Sequence, residues 1–178
     1  MWLYKPGRNT RQAINLIREH VESWEADGSP INICLWTGTC DFTRKIGKFI
    51  EQNDTTVDDL QEQYDRLLTL CKNRDSKLSI LEIPPISITN WNRHKGHSNA
   101  DIFRSQDQEI NDKIVQTNEL IRNWNANKQI MMPKIHLDLH KTRTSNRKIS
   151  INYNLLTDGI HPTRILCKVW VRRLLNSF

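Results

Sequence analysis

Apolar residues Ile14, Ile17, Val21 and Trp24 recur three and four positions apart, the spacing of one buried helix face. The pattern predicts an amphipathic helix after Pro6-Gly7, capped by Asn9 or Thr10 and ended by Asp27-Gly28. Residues 31–36 then run almost without polar interruption, as a buried parallel strand does. The strand ends in Thr37-Gly38-Thr39-Cys40-Asp41. Small and polar residues at the C-terminal end of such a strand are where an open α/β sheet places its site. Residues 42–50 read as a short helix. Thr55 or Thr56 opens a longer one, with Val57, Leu60, Tyr64, Leu67 or Leu68, and Cys71 along one face. Asp58 and Asp59 in its first turn and Lys72 and Arg74 in its last agree with the helix dipole.

A strand is predicted over residues 77–83, stopped by Pro84-Pro85, which cannot donate to a ladder. Residues 87–104 are polar and without a clear period; they read as a long loop of the kind that covers a site. Ser105 opens a helix with Ile110, Ile114, Thr117, Ile121 and Trp124 on one side. A short strand is expected at 135–139, then a basic loop. A final helix is expected to turn Ile165, Leu166, Val169, Trp170 and Leu174 inward. This alternation is that of a three-layer, doubly wound α/β structure with a mainly parallel sheet, in one domain spanning residues 1–178.

Composition narrows the picture. The apolar runs are too short to cross a membrane, and the N-terminus lacks the apolar core of a secretion signal, so a cytoplasmic protein is the default expectation. Cys34, Cys40, Cys71 and Cys167 are scattered without a C-x-x-C pair, and Cys34 and Cys71 fall in apolar patterns as reduced core thiols. His94 and His97, and His136 and His140, have metal-like spacings but no companion ligands, so neither a metal nor another cofactor is expected. The net charge of +6 is uneven: from Lys128 onward ten basic residues face two acids. Lys141, Arg143, Arg147 and Lys148 lie in one polar stretch able to track phosphates, which makes nucleic acid a candidate partner. A solvated face and helix-end cations would give the same pattern.

The chemistry concentrates in Asp158-Gly159-Ile160-His161-Pro162-Thr163. A carboxylate accepting from one imidazole nitrogen fixes the tautomer and leaves the other nitrogen free as a general base. Asp158 or Thr163 capping a following helix is the competing, purely structural reading.

Taken together, these segments resemble the SGNH or GDSL-type hydrolases. Pro6-Gly7 resembles the segment carrying that family's glycine, and residues 35–41 resemble its strand ending in Gly-x-Asn-Asp. Residues 83–85 resemble its proline-rich strand exit, Asn118-Glu119-Leu120 its late-helix asparagine, and Asp158-x-x-His161 its acid–base pair. The resemblance implies a flavodoxin-like strand order and hydrolysis of an ester or acyl substrate. His161 would be the base and Asp158 its partner, with Gly7, Gly38 and Cys40 at the oxyanion positions. Two departures accompany it. The chain has no Gly-Asp-Ser nucleophile segment, and its start resembles the family's second strand, so the first strand is expected to be missing. Cys40 also stands where the family has an oxyanion asparagine, and a thiol is a weak donor. An inactive or impaired hydrolase, or a non-catalytic binding module of the same fold, is therefore implied. A strand gap would also call for a dimer, a longer polypeptide or a reordered sheet.

Overall fold

The computed structural model describes residues 7–26, 31–72, 76–128, 132–142 and 149–177. Helix α1 (Thr10–Ala26) starts at a reciprocal cap: Asn9 Oδ1 accepts the Gln12 N–H at 2.9 Å and Gln12 Oε1 accepts the Asn9 N–H at 3.1 Å. Its Ile14, Ile17 and Val21 are buried as the periodicity predicts. The expected stop at Asp27-Gly28 lies outside the described residues.

Strand β1 (Ile31–Leu35) pairs in parallel with β4 (Ser76–Ile80), Ile33 opposite Leu78 and Leu35 opposite Ile80. These four residues enter the principal core with Ile17 of α1, with Leu60 and Leu67 of α3 (Val57–Cys71), and with Ile114 and Ile121 of α5 (Arg104–Asn127). Full burial of each such side chain contributes about 1.5–3 kcal/mol. On the other face of β1, Asn32, Cys34 and Trp36 are exposed. Cys34 is thus a surface thiol, not the core thiol its neighbours suggested, because β1 is covered more fully on one face than on the other; Cys71 is buried as expected.

Three sequence expectations give way. Residues 42–50 are not a helix: after the single turn α2 (Thr39–Phe42) they form an antiparallel hairpin, β2 (Thr43–Ile46) with β3 (Phe49–Gln52). Ile46 faces Phe49 across the two-residue turn, so pairing produces the same apolar spacing that a helix would. Gly47, at φ +61, supplies the left-handed residue that such a turn needs. Residues 87–104 are not a loop: Ser87 caps α4 (Ile88–His94), accepting the Asn90 N–H at 3.0 Å, and a 3₁₀ turn (Ala100–Phe103) leads into α5. The strand expected at 135–139 is a 3₁₀ turn (Ile135–Leu139), with Ile135 and Leu139 buried and Leu137 exposed; the antiparallel pair β5 (His140–Thr142) and β6 (Ile149–Ile151) follows.

The final helix α6 (Arg164–Leu175) buries Leu166, Trp170 and Leu174 but leaves Ile165 and Val169 exposed. Its inner stripe follows one four-residue spacing and is fixed by the Trp170 indole N–H donating to Asp138 Oδ2 at 3.1 Å. Trp36 meets Trp170 edge-on with ring centres 5.7 Å apart, which places α6 against the less covered face of β1.

From β4 the chain continues as a buried, extended segment, residues 81–87, which leaves the ladder after the Leu81 N–H donates to the Leu35 carbonyl at 2.9 Å. Helix α5 satisfies its backbone. Asn118 accepts the Ile83 N–H at 2.7 Å and donates to the Ile83 carbonyl at 2.9 Å. Asn111 does the same for Ile86 at 3.0 and 2.7 Å, and Asn125 for Ile80 at 3.4 and 2.8 Å. The registers match: seven helical residues advance about 10.5 Å, and three extended residues about 10 Å. A helix bearing asparagines every seventh position therefore covers what would be an open strand edge.

Candidate active site

The acid–base motif occupies a closed loop between a 3₁₀ turn (Tyr153–Leu155) and α6. Leu156 bridges Pro162, the Thr157 N–H donates to the His161 carbonyl at 2.7 Å, and the Thr163 N–H donates to the Leu155 carbonyl at 2.9 Å. Inside this loop Asp158 Oδ1 accepts the backbone N–H groups of Ile160 at 3.0 Å and His161 at 2.8 Å, and Oδ2 lies 2.8 Å from His161 Nδ1. Thr163 caps α6, and Asp158 turns its carboxylate to the imidazole. With Nδ1 donating to Asp158, Nε2 is the basic nitrogen, on a side chain 63% exposed.

Burial alone would push the Asp158 carboxyl up, but the N–H groups of His161 and Ile160 and the His161 ring outweigh it and hold the carboxyl below its ordinary value of 3.8. A depressed native pKa contributes stability above the unfolded value and loses it as pH falls through the native one. Asp158→Asn should therefore flatten the acid limb of the stability curve as pH falls below the ordinary carboxyl value of 3.8 in thermal melts. A limb as steep as that of the unaltered chain would refute this.

Gly159 locks the loop onto α4. Its carbonyl accepts the Ser87 N–H at 2.8 Å, and its φ is +92. The Trp91 ring of α4 lies 5.7 Å from the His161 ring, and an open groove of about 420 Å³, lined by Asn90, Arg93, His94, Tyr153 and Asn154, opens beside Asp158.

The second predicted segment is built separately. Asp41, buried beside Cys40, accepts the Thr10 N–H at 3.1 and 3.0 Å and the Thr10 hydroxyl at 2.9 Å, which ties the start of α1 to the Gly38–Asp41 turn. Burial pushes the Asp41 carboxyl up, against the hydrogen bonds from Thr10. Gly38, at φ +123, sits where a Cβ would fall 2.1 Å from Ile83 Cδ1. The Cys40 thiol is pushed up by burial and by Asp41, against the nearby Lys45, so it is a protonated, weakly donating group and not a poised nucleophile. Gly7 is exposed at φ +74.

Gly38 rests on Ile83 and Gly159 on Ser87, so both segments are anchored to one extended strip, their anchors at most about 14 Å apart. Among the described residues no hydrogen bond, ion pair or ring contact joins Gly7, Gly38 or Cys40 to His161, and no hydroxyl or thiol bonds its ring. Of the basic stretch, Lys141 is exposed on β5, while Arg143, Arg147 and Lys148 lie outside the described residues. No group of three metal-ligating side chains is gathered among the described residues, and no described helix is long and apolar enough to cross a membrane. Sequence reading set residues 87–104 over a site but as a loop, and gave Trp91 of α4 no role, its only signal being an aromatic residue among polar ones.

A parallel strand pair backed by helices, with polar turns at the C-terminal strand ends, defines an α/β fold. No protein-family model and no curated protein matches the chain. Among solved structures it is similar to that of a presumed acylhydrolase from Bacteroides fragilis, at 17% identity and a TM-score of 0.65, over 96% of this chain and 69% of that one. That likeness concerns the fold.

Proposed function

We propose that this chain is an SGNH-type hydrolase domain built for acyl-ester chemistry and catalytically impaired in this form. The observation that carries the reading is the pairing of Asp158 Oδ2 with His161 Nδ1 at 2.8 Å, with the opposite ring nitrogen directed away from its partner. Such a pair is a general base held in one tautomer; it takes a proton from an attacking hydroxyl and returns it to the leaving alcohol. The impairment follows from the lack of any hydroxyl bonded to His161 among the described residues, and from a thiol where an oxyanion donor is needed. The Bacteroides neighbour's designation as an acylhydrolase supports the same chemistry.

The test is release of nitrophenolate from 4-nitrophenyl acetate. The chain should turn over near background, His161→Ala should remove whatever enzymatic rate remains while leaving the melting temperature nearly unchanged, and Cys40→Asn should raise that rate by up to about a hundredfold. Turnover above about 1 s⁻¹ would contradict the impairment. A residual rate indifferent to His161→Ala would contradict the role of the pair.

A second reading, a nucleic-acid-binding module, is favoured by Arg164, Lys168 and Arg172, which stand four residues apart on the exposed side of α6. If it holds, binding of a short RNA weakens steeply with salt, and neutralising these three together with Arg143, Arg147 and Lys148 flattens the slope. Salt-independent binding, or none, removes it.

A further inference from the structure

We propose that the rim of the His161–Asp158 site reads an anion, so that the ester taken here carries a carboxylate or phosphate beside the acyl group. This rests on the reading of His161 and Asp158 as a hydrolase pair and adds the substrate class.

Three elements converge beside His161. Trp91 of α4 presents its ring 5.7 Å from the imidazole. Lys95, one residue beyond the helix, holds Nζ 4.7 Å from the centre of that ring. The Trp91 indole N–H points to the Lys48 carbonyl at the tip of the β2–β3 hairpin, 3.4 Å away, and Lys48 Nζ lies 5.2 Å from the Phe49 ring. Two ammonium groups are thus held against aromatic faces that leave their outer N–H groups open, a weak hold that immobilises the cation without neutralising it.

The charge is uncompensated. Asp101 is taken by Arg93 at 2.8 Å and Arg104 at 3.0 Å, Glu51 by Arg44, Asp107 by the Ser87 hydroxyl at 2.9 Å, and Asp158 by His161. Among the described residues no carboxylate pairs with Lys48 or Lys95. His94 and Arg93 line the adjoining groove. An anion docked against the Trp91 ring meets the Lys95 ammonium, with Lys48 on the adjoining hairpin adding to the local positive field, while a neutral ligand of the same shape gains neither.

The platform suits a small anionic ester better than a nucleic-acid strand. Phe49 and Phe103 each pack edge-on against His97, at 4.7 and 5.2 Å, so among these described rings no run of open faces is offered to successive bases. Trp91 is the one ring of this group beside the imidazole.

The test uses the labelled 178-residue chain, with binding followed by the NMR signals of the His161 ring and the Trp91 indole. The probes are monomethyl succinate, its neutral dimethyl ester, inorganic phosphate and a short oligothymidylate. Monomethyl succinate should bind about tenfold more tightly than the dimethyl ester, and the Lys48→Ala/Lys95→Ala variant should lose most of that preference. Phosphate outcompeting the succinate ester sustains the proposal and names a phosphate-bearing substrate; the reverse names a dicarboxylic one. Equal binding of charged and neutral esters overturns it, a comparison that needs no variant. A preference that survives the double substitution, or oligothymidylate binding at these signals with a steep salt slope, also overturns it. Nitrophenyl acetate hydrolysis reports separately: anion preference without His161-dependent hydrolysis would leave the platform and remove the hydrolase, and the opposite result would do the converse.

Discussion

Gly159→Ala is expected to lower the melting temperature by roughly 5–15 °C. A Cβ at this position would lie 2.6 Å from the Ser87 carbonyl oxygen, 2.7 Å from Asn90 Cβ and 3.1 Å from the Trp91 amide nitrogen. Two of these are backbone atoms of α4 and its cap, which cannot swing aside as a side-chain end can. The φ of +92 adds strain for any residue with a Cβ. Overpacking and backbone strain together cost about 2–5 kcal/mol. Relief requires the loop to lift from α4, so the Ser87 amide, bonded to the Gly159 carbonyl, should also lose protection in hydrogen exchange. An unchanged melt with full Ser87 protection would show that the loop is not clamped here. Gly38→Ala should also be costly, because its Cβ would lie 2.1 Å from Cδ1 and 2.7 Å from Cγ1 of the fully buried Ile83, at a φ of +123.

Asn118→Ala should cost about 2–4 kcal/mol, because it strands two buried backbone groups at once. Asn118 is 4% exposed and supplies both partners of Ile83 at 2.7 and 2.9 Å; Ile83 is itself fully buried, so water cannot substitute. Asn118→Asp should be nearly as damaging, since the carboxylate keeps the acceptor but loses the donor and buries a charge. Asn125→Ala should cost less, its contact to the Ile80 N–H being 3.4 Å long. Equilibrium denaturation of the three variants tests the order. Equal, small losses would mean that the extended strip finds other partners.

The places where sequence reading failed share a cause. Period-based inference works where one element faces one core, as in α1, α3 and α5, whose buried residues fall at the expected three- and four-residue spacing. It failed at residues 42–50 because cross-strand pairing in a hairpin reproduces a helical apolar spacing, and Gly47 was the only contrary signal. It failed at α4 because that helix buries polar residues. Asn92 is wholly buried yet satisfied, accepting the Ile50 N–H at 2.9 Å and donating to its carbonyl at 2.7 Å. A polar side chain spent on a distant backbone looks, in sequence, like a loop residue. Ile165 was misplaced for the opposite reason: it is apolar, and α6 has no element over that side among the described residues.

The mainly parallel sheet expected from the chain is, among the described residues, one parallel and two antiparallel strand pairs; what the sequence by itself determined is the two strands of that parallel pair, a helix start at Thr55 or Thr56, the core faces of the long helices and the Asp158–His161 motif. All depend on residues within a few positions of one another, so local spacing carries the information. The tertiary structure alone decided what those parts do together. It placed Gly159 against Ser87, set Trp91, Lys95 and the Lys48 hairpin beside the imidazole, and used Asn111, Asn118 and Asn125 to cover a strip of backbone 25 to 45 positions away. Contacts at such separations leave no period in the chain, because a side chain's partner is fixed by where the backbone returns and not by what stands next to it.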